Sequence, residues 1–464
     1  VLHIHLPGNK SPEILLPTIE WSVRNRIFAP HRRGLAYIHV KGFTFLHCAN
    51  QGPFPQGGAV SPRTGKNWLF EDNTIRFAKT VGLDIGSETW GTKELDDTVE
   101  EDRRLMVQAG HIVRNNTISD NGLCGIAGWN SPNVRIINNL FERNNRLNFS
   151  TVDANWEEWA AIKLHNSNAV IAHNTIRFNE AHGIWIDNGY NLSRITGNVL
   201  IGNLGSGIMM ELGAGSCLID NNIVAHTRSY GGFYDGNAIY AHDASGLTVV
   251  HNLLTANAGA GVLMRTITGR NYGGKIVGTS NTRIFNNIFD NNQKGDICLP
   301  FDNPRSHSNS SDWNVFTGKP SFRLNKYQDS CKWETVLEKI TQAGDELSPT
   351  EGNGEGAFRS FGLDAWRAST GWDINSTVID KADFSVLPYR MLMRANIPEK
   401  WIELQACAVE EMTIDFAGNL MTDTATPDHK LRPGPLQNLK TGSSKIPLTP
   451  YRTEKVPALR KAAK

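Results

Sequence analysis

The chain of 464 residues lacks an excess of either charge, a long apolar run and any close pair of cysteines. Its 47 Lys and Arg residues balance 46 Asp and Glu residues, so the composition favours no nucleic acid partner. No apolar stretch is long enough to span a membrane. The cysteines are spaced too widely for a zinc framework and leave the disulfide state open: Cys48, Cys124, Cys217, Cys298, Cys331 and Cys407.

The first residue, Val1, is not a methionine. We therefore expect that a leader has been removed or that the sequence starts within a longer protein, and a secreted or periplasmic location is favoured over a cytoplasmic one.

What the sequence does contain is a repeat. Asn174, Asn198 and Asn222 follow one another at intervals of 24 residues, and each is followed by a short apolar segment. Further units are centred on Asn73, Asn116, Asn139, Asn252 and Asn287. Their spacing is close to 24 residues or exceeds it by the length of a loop. A fixed period of this length indicates a solenoid.

The composition of the unit indicates which solenoid. Its segments are three to five residues long, rich in Ile and Val, and interrupted by Gly and Asn, so they are too short for helices. Asn tolerates the left-handed backbone that a tight corner needs, and stacked Asn side chains can hydrogen-bond from coil to coil. We predict an all-β protein, a right-handed parallel β-helix.

We divide the chain into an N-terminal segment (1–35), the β-helix with its candidate catalytic face (36–330) and C-terminal coils, short helices and a packed tail (331–464). Helices are predicted at 335–344 and 363–370. Three insertions rich in aromatic residues or glycine, 145–160, 226–237 and 266–281, interrupt the coils. Solenoid insertions usually gather on one face and commonly carry function.

One position of the repeat carries polar residues from coil to coil. Asp187 and Glu211 each lie 13 residues after their repeat asparagine. With allowance for the insertions, the same outward-facing position forms a column of Trp129, His165, Asp187, Glu211, His242 and Arg265. Two residues earlier, on the same face, lie Lys163, Trp185, Met209 and Tyr240.

The acid pair in this column suggests glycoside hydrolysis. Neighbouring parallel strands lie about 4.8 Å apart, close to the roughly 5–5.5 Å between the carboxyl groups of retaining glycosidases. Two carboxylates this close cannot both ionise freely, so one pKa should rise, as a general acid requires. The Trp side chains can support a sugar ring, and the His, Lys and Arg side chains can bind its hydroxyls. No metal or cofactor is expected, since no calcium-loop spacing is present.

Other readings of the same residues remain open. The acids and cations can form a solvated surface or a structural ion network, and the Trp residues can pack beneath the insertions. A lyase or epimerase acting on uronates would use a base and a cation from Lys163, His165, His242 and Arg265. A non-catalytic carbohydrate-binding β-helix is a further alternative.

The chain resembles the family 120 glycoside hydrolases, the β-helix β-xylosidases. The resemblance is carried by GIWIDNGYNLSRITGNVLIGNLGSGIMMELGAGSCLIDNNI and extends loosely over residues 36–225. It implies that Asp187 is the nucleophile and Glu211 the acid/base. It also implies that Glu157 or Glu158, in the segment EEW, lines the sugar subsite.

Members of that family carry additional coils and an inserted β-sandwich before the equivalent region. Residues 1–35 resemble the end of such a sandwich, which implies either a shorter chain or association with a separate N-terminal half. Homo-oligomerisation is equally compatible. The sequence thus predicts a retaining glycosidase that releases xylose-like units from short oligosaccharides or polysaccharide ends, without fixing the sugar or its anomeric configuration.

Overall fold

A computed structural model of the chain describes residues 7–9, 21–50, 57–86, 109–148, 158–231, 235–266, 270–300, 307–325, 359–380, 382–409, 414–419 and 431–450, with a few isolated residues outside these ranges. The described residues form a parallel β-helix in which successive coils add strands to three long sheets. The predicted fold is confirmed. The predicted helix at 335–344, Cys331 and Glu157 lie outside the described residues.

Sheet A contains eleven strands, which pair in parallel except at the end, where β33 is antiparallel to β32. Its strands are β3 (Gly58–Val60), β6 (Val81–Asp84), β9 (Cys124–Trp129), β12 (Ala160–His165), β15 (His182–Asp187), β18 (Ile208–Gly213), β21 (Ile239–Ala244), β24 (Val262–Arg265), β29 (Ile297–Pro300), β32 (Phe322–Asn325) and β33 (Arg359–Phe361).

Sheet B follows sheet A in each coil and has ten parallel strands. They are β1 (His39–Lys41), β4 (Leu69–Glu71), β7 (Ile112–Arg114), β10 (Val134–Ile137), β13 (Ala169–Ala172), β16 (Ser193–Thr196), β19 (Cys217–Asp220), β22 (Leu247–Val250), β27 (Arg283–Phe285) and β30 (Ser310–Asp312).

Sheet C closes each coil with eleven parallel strands. They are β2 (Thr44–Cys48), β5 (Thr74–Ala78), β8 (Thr117–Ser119), β11 (Leu140–Glu142), β14 (Thr175–Arg177), β17 (Val199–Ile201), β20 (Ile223–Ala225), β23 (Leu253–Thr255), β28 (Ile288–Asp290), β31 (Val315–Thr317) and β34 (Thr377–Ile379). Residues before 36 already join the solenoid, since Ile27 and Phe28 donate backbone hydrogen bonds to the carbonyl of Ala59.

The interior of the solenoid is apolar because alternate side chains of all three sheets point into it. Ile184 and Ile186 of sheet A, Ile195 of sheet B and Leu200 of sheet C are fully buried in one continuous cluster. The predicted inward and outward alternation of β15 and β18 is therefore confirmed. Burial of one such side chain contributes about 1.5–3 kcal/mol, so the cluster is the main source of stability.

A ladder of buried asparagines runs along the corner between sheets B and C. The side-chain oxygen of each accepts hydrogen bonds from the backbone N–H and the side-chain amide of the preceding one, at 2.9–3.1 Å. The ladder contains Asn73, Asn116, Asn139, Asn174, Asn198, Asn222, Asn252, Asn287 and Asn314. The expected bonding from coil to coil is confirmed.

The left-handed residue at this corner is not the ladder asparagine itself, as the sequence had suggested. It is the residue before it, and these positions all have φ between 54° and 63°: Asp72, Asn115, Asn138, His173, Gly197, Asn221, His251, Asn286 and Trp313. The ladder asparagine is instead selected for its buried carboxamide, which satisfies backbone groups that no strand pairing reaches.

The C-terminal part packs at the end of the β-helix, where Trp366 joins the interior cluster, and on its outer face. The predicted short helix is observed as α1 (Leu363–Thr370). Beyond it, the strands β35 (Asp383–Leu387), β36 (Leu392–Ile397) and β37 (Gly442–Pro447) form an antiparallel sheet, which the sequence did not predict. Its apolar face, including Phe384 and Met393, covers the outer face of sheet C. Short 3₁₀ turns span Pro7–Asn9, Pro388–Arg390 and Glu399–Glu403.

Among the described residues, no helix combines the length and the apolar character needed to cross a membrane. The five cysteines within this part of the chain are free thiols, four of them buried.

Candidate active site

The predicted column lies on the outer face of sheet A with the predicted register. His165 pairs with Trp129 on one side and Asp187 on the other. Further along the sheet, His242 pairs with Glu211 and with Arg265. The insertions between the coils therefore leave the strand register intact and add only loops.

Asp187 and Glu211 occupy adjacent coils. In the pairing of β15 with β18, Ile186 lies opposite Met210, so the following residues, Asp187 and Glu211, are neighbours on the outer face. The side chains are 8% and 13% exposed, respectively. This is the placement on which the predicted acid pair depends.

A buried lysine holds the carboxylate of Asp187 in place. Lys163 Nζ is fully buried and lies 3.2 Å from Asp187 Oδ2 and 3.3 Å from Glu158 Oε2. The same nitrogen lies 3.1 Å from the centroid of the Trp185 ring, a cation–π contact. His165 completes the cluster, with Nε2 2.9 Å from Glu158 Oε2 and Nδ1 3.4 Å from Asp187 Oδ2. All of these contacts to Asp187 use one oxygen, and its buried Oδ1 has no hydrogen-bond partner among the described residues.

Two basic side chains converge on the other acid. His242 Nε2 lies 2.9 Å from Glu211 Oε1, and Arg270 Nη1 lies 2.7 Å from the same oxygen. Arg270 also lies 3.6 Å from Oδ2 of the buried Asp243. Glu211 is thus bonded from within the sheet by His242 and from the third insertion by Arg270.

The two acids have opposite pKa shifts. Burial raises the pKa of Asp187; Lys163 opposes this effect, and the charge of Glu211 adds to it. Burial also disfavours the ionised form of Glu211, but the hydrogen bond and charge of His242, with the charges of Lys163 and Arg270, outweigh it and hold the pKa of Glu211 well below its usual range. One of the two pKa values is raised, as expected, but it is the pKa of Asp187, the predicted nucleophile, and not that of Glu211, the predicted general acid.

An apolar strip lies beside the column on the same face and includes Trp185, Met209, Tyr240, Leu263 and Cys298. Although it is on the outside of the solenoid, the first three side chains are only 4%, 6% and 7% exposed. Covered side chains on this face show that the acids lie in a sheltered site and not on a solvated stripe.

Described residues of all three insertions contact side chains on the outer face of sheet A, in line with the expectation that insertions gather on one face. Trp159 of the first stacks on the His182 ring of β15, at 4.7 Å between centroids and 3° between planes. Tyr230 of the second packs edge-on against Trp159 at 5.3 Å. The third forms a small hairpin, β25 (Asn271–Tyr272) with β26 (Lys275–Ile276), and Arg270 directly precedes it.

Most of the predicted site residues come together. Of the two candidate glutamates in EEW, Glu158 lies in the Lys163 cluster. The Trp129 ring lies 4.9 Å from that of His165. Arg265 takes its predicted place in the column, but the arginine in contact with Glu211 is Arg270.

Arg270 and Asp243 were not found from the sequence. Arg270 lies in a loop, where the repeat does not predict which way a side chain points. The one feature of the sequence that could have indicated it is its place in the third insertion, 266–281. Asp243 directly follows His242, so strand alternation alone would have assigned it to the opposite face. Its contact with Arg270 depends on the tertiary path of the insertion.

Two protein family models match the chain. A family model described as the right-handed β-helix region matches residues 34–224, which confirms the predicted handedness. A second, described as periplasmic copper-binding protein (NosD), matches residues 148–318. No curated protein matches the chain in sequence.

Among solved structures, the chain is similar to XylC, a family 120 β-xylosidase, in its complex with xylose. The TM-score is 0.62 at 18% identity, over 92% of this chain and 68% of that chain. The predicted resemblance to family 120 is therefore confirmed at the level of the fold. A double mutant of the periplasmic alginate epimerase AlgG matches with a TM-score of 0.39 at 13% identity, over 63% of this chain and 69% of that chain. The A-module of the Azotobacter vinelandii mannuronan C-5 epimerase AlgE4 matches with a TM-score of 0.30 at 12% identity, over 62% of this chain and 77% of that chain.

One cluster of the described residues has the donor atoms that a metal ion could bind. Oxygen or nitrogen atoms of Glu158, His165 and Asp187 lie within 4.8 Å of one another. However, the ammonium of Lys163 already lies between the two carboxylates and supplies the positive charge there. One imidazole and two carboxylates beside a buried ammonium do not fit copper, which favours several His, Cys or Met ligands.

Proposed function

We propose that the protein is a retaining glycoside hydrolase that releases xylose-like monosaccharide units from short oligosaccharides or polysaccharide ends. In this mechanism Asp187 attacks the anomeric carbon and forms a covalent glycosyl-enzyme. Glu211 protonates the departing oxygen, then removes a proton from the water that hydrolyses the intermediate. No cofactor takes part.

The adjacency of Asp187 and Glu211 carries this proposal. A single strand spacing of about 4.8 Å between their backbones suits the roughly 5–5.5 Å separation of a retaining pair and leaves no room for the water of an inverting one. Both side chains are largely buried, and exclusion of water strengthens electrostatic effects on a developing oxocarbenium charge.

The surroundings of Asp187 suit a nucleophile. Lys163 and His165 contact Oδ2, while Oδ1 is buried without a partner among the described residues. The first oxygen can be held in place while the second is directed at the sugar. Lys163 favours the carboxylate form that attack requires, and it counters the burial that raises the pKa of Asp187.

Glu211 must hold a proton when the glycosidic oxygen leaves, although its pKa is low in the absence of substrate. His242 lies 2.9 Å from Glu211, so the two side chains can share one proton. Arg270 approaches the same oxygen from a loop and its side chain is 29% exposed. We infer that substrate displaces Arg270, after which the proton moves from His242 to Glu211 and on to the leaving oxygen.

The substrate class follows from the sugar-binding surface and from the resemblance. The Trp129 ring, which packs on His165 beside Asp187, can support a pyranose, whereas the Trp185 ring is buried against the Lys163 ammonium and acts on the site through that lysine. The imidazoles of His165 and His242, with Arg265 and the EEW loop, can bind the hydroxyls of the sugar. Xylose is the ligand of XylC, whose fold this chain shares, and xylose-like units are the first substrates to test.

The decisive experiment uses 4-nitrophenyl β-D-xyloside and related aryl glycosides, with product stereochemistry followed by NMR. Hydrolysis with retention supports the proposal, and Asp187→Ala should lower kcat at least about 10³-fold. Near-wild-type turnover by Asp187→Ala, or release of the inverted sugar, would refute the assignment. Tyr389→Ala, at an exposed site on the side of sheet C, is the control and should keep full activity.

A lyase or epimerase acting on uronates is the second candidate. It is favoured by the basic residues gathered near the acid pair, of which Arg270, Lys163 and His242 contact carboxylates directly. These cations could neutralise a substrate carboxylate. A lyase would yield an unsaturated product that absorbs in the near ultraviolet, and an epimerase would change the uronate composition without cleavage.

We also propose a secreted or periplasmic location, supported by the match to a family described as periplasmic. Fractionation of the native host cells with an antibody against the chain would test it. Size-exclusion chromatography with light scattering would test the expected association with a second copy or a separate N-terminal half.

A further inference from the structure

An uncharged groove lies beside the acid pair, at the turns where sheet A passes into sheet B. Its volume is about 300 Å³, and its walls include Asn130, Asn166, Gly189 and Tyr272. Asn130 and Asn166 directly follow Trp129 and His165 of the column. The backbone N–H of Asn166 donates to the carbonyl of Asp187 at 2.9 Å, so the groove is joined to the site through the main chain.

The chemistry of this groove differs from that of the site. The ten residues that line it are all uncharged: Asn130, Pro132, Asn166, Ser167, Asn168, Gly189, Tyr190, Asn191, Leu192 and Tyr272. An ion placed there would lose hydration without gaining a counter-charge. The groove therefore suits a neutral, hydrogen-bonding ligand.

Two carboxamides offer paired hydrogen-bonding groups. The side-chain amide of Asn166 donates to Asn130 Oδ1. Among the described residues nothing else bonds these side chains, so the pair still presents an amide donor and a carbonyl acceptor side by side. Even with one amide reversed, the pair keeps a free donor and a free acceptor. Adjacent sugar hydroxyls, each both donor and acceptor, match such a pair.

The third insertion forms a wall shared by the groove and the acid pair. Arg270 contacts Glu211, and Tyr272, two residues later, lines the groove. Gly189 makes this approach possible. Its φ is +116°, and a Cβ at that position would lie 2.4 Å from the Tyr272 hydroxyl. A tyrosine ring held against this groove offers the flat apolar face on which a sugar ring packs.

We propose that this groove is a second sugar subsite, which binds a neutral pyranose unit linked to the one held at Asp187 and Glu211. The inference rests on the proposed function, and it extends it to a preference for oligosaccharides of at least two neutral units. Asn130 and Asn166 bind hydroxyls, Tyr272 packs on the ring, and the absence of charge excludes a uronate from this position.

Binding of xylose, xylobiose and xylotriose to Asp187→Ala protein, measured by calorimetry, tests the subsite without turnover. Adding Asn166→Ala or Tyr272→Ala should weaken the oligosaccharides about tenfold, the effect of losing one or two hydrogen bonds or a ring contact, and leave xylose within about twofold. Gly189→Ala should reproduce the loss by displacing Tyr272. Asn438→Ala, an exposed asparagine in the C-terminal tail, is the matched control and should change nothing.

Equal effects on xylose and xylotriose, no effect on either, or failure of the Asp187→Ala protein to bind xylotriose would overturn the subsite. Hydrolysis is scored separately with the aryl xyloside. If the wild-type chain binds oligosaccharides in this length-dependent way but hydrolyses no glycoside, the proposed function fails and the subsite stands.

Discussion

Replacing Lys163 with Met should destabilise the fold by about 3–5 kcal/mol at neutral pH. The ammonium is fully buried and is the cation between two carboxylates, those of Glu158 and Asp187, at 3.3 and 3.2 Å. Met is close to Lys in volume and keeps contact with the Trp185 ring, so little packing is lost. The cost comes from leaving two buried acids without their counter-charge.

Protonation limits this cost and makes it depend on pH. In the protein the pKa of Asp187 is raised and that of Glu158 is lowered; for both acids Lys163 opposes the effect of burial, so both pKa values should rise in the variant. A carboxyl group with a higher pKa in the folded than in the unfolded chain destabilises the fold fully above its folded pKa. It has no effect below its unfolded pKa, about 4. The variant should therefore regain stability as the pH falls from 7 towards 4.

Urea unfolding at pH 7 and pH 5 measures both effects. Lys440→Met, at an exposed lysine of the C-terminal tail, is the control and should change the free energy of unfolding by no more than about 0.5 kcal/mol. A loss below about 1 kcal/mol for Lys163→Met at pH 7, or a loss that is no smaller at pH 5, would contradict the reasoning.

Three further predictions concern the ladder and the acid pair. Asn198→Ala removes the side-chain hydrogen bonds that join Asn198 to Asn174, Asn222 and the carbonyl of Ile171, and should cost about 2–4 kcal/mol in urea unfolding, because the buried N–H of Asn174 and carbonyl of Ile171 lose these partners; a loss below 1 kcal/mol would contradict this. Arg270→Met removes a cation from the side of Glu211, so the pKa of that acid should rise and the alkaline limb of the plot of kcat/KM against pH should move to higher pH. An unchanged profile would show that Arg270 does not lower the pKa of Glu211. Glu211→Gln should lower kcat/KM, which reports the first step, about 10²–10⁴-fold for alkyl glycosides and far less for 4-nitrophenyl glycosides, whose leaving group needs no proton, while kcat falls for both because the second step loses its base; equal losses of kcat/KM would argue against Glu211 as the acid.

Much of the fold could be predicted because the coil repeats. Equal spacing of Asn174, Asn198 and Asn222 fixed the length of a coil, and strand alternation then fixed which residues point outward. Register survives insertion in a solenoid, since each strand pairs only with its neighbours. This is why His165 and His242 could be placed beside the acids across intervening loops.

Contacts that depend on the path of a loop could not be predicted in this way. Arg270 reaches Glu211 from the third insertion, and no repeat relates the two positions. The antiparallel sheet of β35–β37 is equally outside the repeat, and its packing on sheet C is a long-range contact between different parts of the chain. The left-handed residue at each corner lies one position before the ladder asparagine. The spacing of the asparagines does not show which of the two residues has the left-handed backbone.

Burial matters to the chemistry because it changes the medium around the column. On an open face of the solenoid, neighbouring charges would interact through water, with a dielectric constant about fourfold higher than the effective value of about 20 for partly buried groups. The side chains of Asp187 and Glu211 are only 8% and 13% exposed, so the cations around them act strongly on their pKa values. His242 and Lys163 of sheet A and Arg270 of the third insertion all lower the pKa of Glu211. The coils therefore bring the acids together and supply most of the charges that separate their pKa values, and the third insertion adds one more cation.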